Sequence, residues 1–76
     1  MVKFDKGSII RYQGALFQVT DTDNEGVHYR YQLTPAIVLA HNGFGRGPGK
    51  IRWSWAATVD PSAEFITTYP LGQLRP

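Results

Sequence analysis

Residues 27–33 read Val27-His28-Tyr29-Arg30-Tyr31-Gln32-Leu33, an unbroken alternation of apolar and polar side chains. Successive side chains of a strand point to opposite faces, so this spacing predicts a half-buried β-strand with Val27, Tyr29, Tyr31 and Leu33 inward and His28, Arg30 and Gln32 outward. The period recurs over residues 51–59, where Ile51, Trp53, Trp55, Ala57 and Val59 take the inward places and Arg52, Ser54 and Thr58 the outward ones. Both strands then carry an arginine on the solvent side.

Working outward, two β-rich runs, Ser8 to Tyr12 and Ala15 to Thr20, flank Gln13-Gly14, a pair suited to a tight hairpin because glycine tolerates positive φ. Asp21-Thr22-Asp23-Asn24-Glu25-Gly26 reads as a polar turn into the long strand. Beyond Thr34-Pro35, the run Ala36 to Ala40 is apolar without alternation, which fits either a strand buried on both faces or the continuation of a bent one. Phe65 to Tyr69 is the last strand, and Pro70 to Leu74 reads as one short helical turn against the barrel end. Five to six short strands with glycine-rich connections in a chain of 76 residues are expected to form one all-β domain, closed into a small barrel because an open sheet would leave bare edges.

Composition narrows the function classes. Four Phe, four Tyr and two Trp must supply most of the core. With no cysteine there is no disulfide framework, thiolate metal site or thiol nucleophile. No apolar run has the length of a signal peptide or a membrane span, so the expectation is a soluble, cytoplasmic protein with no membrane partner. A formal net charge of +2 is small, but residues 26–59 hold Arg30, Arg46, Lys50 and Arg52 with no carboxylate, and a local field of one sign steers an anionic partner.

The stretch His41-Asn42-Gly43-Phe44-Gly45-Arg46-Gly47-Pro48-Gly49-Lys50 invites a phosphate-cradle reading and fails its spacing tests. A P-loop ending on Gly49-Lys50 needs glycine at Phe44 and serine or threonine at Ile51. A dinucleotide fingerprint from Gly43 needs its third glycine at Pro48, with a helix to follow. What remains is a mobile loop carrying two cations and a ring, of the kind that tracks a nucleic-acid backbone while the ring stacks on a base. A second candidate is a patch of Arg30 and Arg52 with His28 and Ser54, brought together if the two long strands pair, and with Arg11 as a further member. Asp21 to Gly26 has acids at the first and third positions of a calcium loop, but Glu25 stands at the fifth and Gln32 where a bidentate glutamate is needed. His28 and His41 match no zinc spacing, and no serine lies in a nucleophile-elbow context. No metal, cofactor or catalytic residue is therefore assigned.

The opening Gly7 to Val19, a strand, a glycine turn and an aromatic-valine strand, resembles the first hairpin of SH3-like small barrels. Ile66-Thr67-Thr68-Tyr69-Pro70-Leu71-Gly72-Gln73-Leu74 is similar to the end of the plasmid-borne type II dihydrofolate reductases, SH3-like barrels that assemble as a tetramer around one pore binding folate and NADPH. That family carries Val-Gln-Ile-Tyr before the proline. Tyr69 alone keeps its identity in that quartet, Ile66 is a conservative change, and Thr67 and Thr68 replace the glutamine and isoleucine. The reading that emerges is a single SH3-like barrel acting as a non-catalytic binding module for an anionic partner, whether nucleic acid, a phosphorylated ligand or an acidic protein surface. Its contact residues are Arg30, Arg52, Phe44, Arg46, Lys50 and His28. A reductase-like enzyme and a homo-oligomeric or protein-interaction module are the alternatives.

Overall fold

Gln13 and Gly14 both adopt positive φ, 51° and 80°, the pair of left-handed conformations that a type I′ hairpin turn requires. They join β1 (Ser8–Tyr12) to β2 (Ala15–Glu25), with Tyr12 opposite Ala15. The computed structural model describes residues 4–25, 28–41, 43–48, 52–54 and 63–76, and the side chains of 24, 25, 28–30 and 52–54 lie outside that description. The remaining strands are β3 (His28–Leu39), β4 (Gly43–Arg46), β5 (Arg52–Ser54) and β6 (Glu64–Thr68). They form a curled antiparallel sheet in the order β4-β3-β2-β1-β6, with β5 also beside β3. This is a small all-β half-barrel, compatible with the SH3-like barrel expected. No helix occurs among the described residues, so none there is long and apolar enough to cross a membrane.

Three expected connections take other forms. The polar turn at Asp21 to Gly26 is strand as far as Glu25, because β3 runs alongside and sets Arg30 opposite Asp23 and His28 opposite Glu25. An arginine in register with an aspartate across an antiparallel pair favours the extended form despite the poor β-propensity of the acid. The glycine stretch expected as a loop contains β4, which pairs with the end of β3 from Ala36↔Arg46 to Leu39↔Gly43. β3 thus continues through Pro35 as one long strand, and the alternative of a strand buried on both faces is not met, since Val38 is 62% exposed. Finally, the expected helical turn at the end is a β-turn: Gln73 N–H donates to Pro70 O at 3.3 Å, and Gly72 has φ of 79°, the left-handed third position of a type II turn.

Two bulges decide which residues face inward. Val19 pairs with Leu33 and Asp21 with Gln32, so Thr20 is an extra residue in β2. Were the intact sequence paired without a bulge, Asp21 and Asp23 would follow Val19 into the core; with the bulge, Thr22 takes the place opposite buried Tyr31. In β6, Ile66 is the extra residue between the pairs Ile9↔Thr67 and Ile10↔Phe65. Along the β4–β5 side, β3 advances three residues from Ala36 to Leu33 while its partner advances six, from Arg46 to Arg52. Pro35, which has no N–H to give, sits at this slip and accepts from Gly47 N–H at 3.0 Å.

Both faces of the sheet are covered. Ile9 and Ile10 are neighbours that point oppositely, yet each is fully buried. Ile10 belongs to the larger core with Phe4, Tyr12, Phe17, Val19, Tyr31 and Leu33, where the Tyr31 hydroxyl accepts from Phe4 N–H at 2.8 Å. Ile9 belongs to a second cluster with Ala36 and Leu74, against which Leu16, Phe44 and Tyr69 pack. The C-terminal tail closes this second side, since Arg75 forms a parallel bridge with Gly45. Between the two, buried Gln18 donates through Nε2 to Tyr69 O at 2.8 Å and Gly7 O at 3.4 Å.

Candidate functional site

The glycines at 45 and 47 are explained by the period of the strand, and Gly43 by its φ of 90° and the Tyr69 ring beside it. Alternate residues share a face, and these stand opposite Leu39, Ile37 and Pro35 of β3. A Cβ at Gly45 would lie 3.0 Å from Leu39 Cδ1 and 3.3 Å from Arg75 O, and one at Gly47 would lie 3.3 Å from Pro35 Cβ. The missing side chains make room for neighbouring residues of this chain. Nothing in their geometry cradles a phosphate.

The other face of β4 carries Phe44 and Arg46, about 7 Å apart at two strand residues. Phe44 is half-buried and stands opposite exposed Val38; its ring meets Tyr69 edge-on, centroids 5.4 Å apart and planes at 72°. Arg46 is exposed and has no ion-pair partner among the described residues. Its backbone is held on both sides, by Ala36 in register and by its N–H donating to Arg75 O at 2.5 Å. A strand held on both sides therefore presents, on one face, a half-buried ring and a guanidinium with no ion-pair partner among the described residues.

The remaining candidates are placed differently. Arg30 lies opposite Asp23 and His28 opposite Glu25, so the stretch without carboxylates in sequence has acids in register beside it in the sheet. Arg52 pairs with Leu33, three residues along β3 from Arg30, and Ser54 pairs with Tyr31; the ladder does not set Arg30 and Arg52 at the same level. The side chains of His28, Arg30 and Arg52, and the whole of Lys50, lie outside the described residues. Arg11 is occupied, its Nη1 donating to Glu64 Oε1 at 3.1 Å. Lys6 lies 3.4 Å from Asp21 Oδ1.

Tyr69 is the residue that sequence reasoning reached only through the reductase resemblance, with no hint that it meets Phe44. Its N–H donates to Gly7 O at 2.8 Å, its carbonyl accepts from Gln18, and a Cβ on Gly43 would lie 3.1 Å from its hydroxyl. No signal in a single sequence pairs positions 44 and 69. No group of metal-ligating side chains occurs among the described residues. The chain matches no protein-family model, no curated protein and no solved structure.

Proposed function

We propose that this chain is a non-catalytic small-barrel binding module whose contact face for an anionic partner is centred on Phe44 and Arg46 of β4. The observation that carries the reading is the exposed Arg46 guanidinium, without an ion-pair partner among the described residues, beside a half-buried ring on a strand bonded along both edges. A guanidinium presents its donors as a flat fork suited to phosphate or carboxylate oxygens. Lys50 and Arg52 follow in the same chain direction and are candidates to extend the contact, while Arg30 and His28, each with an acid across the ladder, contribute less net field.

Binding of heparin or a short oligonucleotide, followed by fluorescence anisotropy across a salt series, tests this reading. Affinity should fall as salt rises, because each cation that neutralises a phosphate releases a counterion, and Arg46→Ala should weaken it and flatten the slope by about one unit. Equal affinity of the wild type and Arg46→Ala, or no binding to any polyanion at low salt, removes the proposal. A second reading, an assembly module, draws on the terminal strand β6. Phe65 shares the level of fully buried Ile10 yet is 53% exposed, and Ile66 beside it is exposed too. A strictly monomeric mass by light scattering at high concentration would dispose of self-assembly.

A further inference from the structure

Resting on the reading above, we infer that the anionic partner is a single-stranded nucleic acid, with Phe44 stacking on a base, Arg46 holding a neighbouring phosphate, and Tyr69 acting as the positioning residue for the Phe44 ring. An acidic protein surface offers carboxylates, and inorganic polyphosphate offers charge alone. Neither uses a half-exposed ring fixed two residues from the cation. A single strand of nucleic acid alternates flat apolar groups with anionic ones, which is the alternation that β4 presents on the face carrying Phe44 and Arg46.

Tyr69 makes that ring a fixed platform. Its backbone is tied at both polar groups, N–H to Gly7 O and carbonyl to Gln18 Nε2, so its ring is carried by the centre of the sheet. From there it meets Phe44 edge-on at 5.4 Å, an arrangement in which the positive edge of one ring faces the negative face of the other. Gly43 allows the approach, since a side chain there would meet the Tyr69 hydroxyl. Ordering Phe44 before the ligand arrives lowers the entropy lost on stacking.

The experiment compares a labelled oligothymidine with an abasic phosphodiester of the same length and charge, each titrated with the folded full chain. The wild type should bind oligothymidine more tightly by roughly 5- to 150-fold, the span of one stacked base. Phe44→Leu should abolish that preference, whereas Arg46→Ala should weaken both strands alike and flatten the salt slope. Tyr69→Leu should reduce the preference in the wild-type background and have no further effect on it when Phe44 is already leucine, which a merely structural role would not produce; Tyr69→Phe, which keeps the ring, should retain it. Equal binding of the two strands, with Arg46 still required, overturns the inference and leaves the anion reading standing. Failure to bind either strand or polyphosphate removes both. Should Tyr69→Leu fail to fold, the Phe44→Leu comparison still decides whether a base is stacked.

Discussion

Gly7 takes a φ of 92° and a Cβ there would stand 2.9 Å from the Tyr69 carbonyl oxygen, whereas Gly14, at 80°, has nothing within 4 Å. The two glycines therefore separate backbone strain from crowding. Gly14→Ala should cost about 1–2 kcal/mol, the left-handed penalty of a residue with a Cβ, and Gly7→Ala should cost more, because Tyr69 must also move. Gly45→Ala meets Leu39 and Arg75 without a positive φ and is expected to cost about 1–3 kcal/mol through overpacking. Urea unfolding of the three variants gives the ranking, and a Gly14→Ala protein less stable than Gly7→Ala would contradict it. At this scale the sequence is partly legible. Gln13-Gly14 announces its turn, but Gly43, Gly45 and Gly47 resemble a loop because their reasons lie elsewhere along the chain, in Tyr69 for Gly43, Leu39 and Arg75 for Gly45, and Pro35 and Ile37 for Gly47.

Among the elements, β2 shows where local reading stops. Its first half, with Leu16, Phe17 and Val19, is readable from pattern alone, and β1 has the expected bounds. Its second half is acidic and runs on as a strand beside β3, with Asp23 in register with Arg30 and Glu25 with His28, a pairing that one strand cannot reveal. The Thr20 bulge is likewise invisible in sequence, although it switches the face of every residue after it. Deleting Thr20 leaves Asp21 opposite Gln32 and Thr22 opposite Tyr31 in a ladder without the bulge, so the same side chains face inward, and the expected outcome is a variant that keeps a cooperative unfolding transition followed by circular dichroism. Loss of that transition would show that the bulge itself, with the Thr20 hydroxyl that donates to Gln32 O, is required beyond the facing it sets. The tail offers a second test, since buried Leu74 holds Arg75 against β4. Leu74→Ala should cost about 2–5 kcal/mol and speed hydrogen exchange at the Arg46 amide, which donates to Arg75 O, while Arg11 to Tyr12 in β1 remain protected longer. Equal acceleration at both places would mean that the tail does not open separately. For the candidate site the same limit applies: Phe44 and Arg46 are legible as a ring and a cation, but their shared strand face and the edge contact from Tyr69 come from register and tertiary packing.

At the scale of the whole molecule, burial on two faces of one sheet carries the stability, and the two ion pairs seen among the described residues add little. The ion pairs Lys6–Asp21 and Arg11–Glu64 have side chains 48% to 58% exposed, and pairs of that kind contribute about 0–1 kcal/mol. Arg11→Ala should change the urea midpoint only slightly, and raising the salt concentration should change it equally little; a loss above about 2 kcal/mol would assign the pair a structural role that its exposure denies. The remaining feature is the separation in sequence between β1 and β6. Arg11 and Glu64 are 53 positions apart, so one side of β1 is satisfied early by its hairpin partner and the other only after most of the chain exists. At about 5–20 residues per second of ribosomal synthesis, a nascent chain carries that bare hydrogen-bonding edge for roughly 3 to 10 s, the interval during translation when chaperone shielding has most to protect.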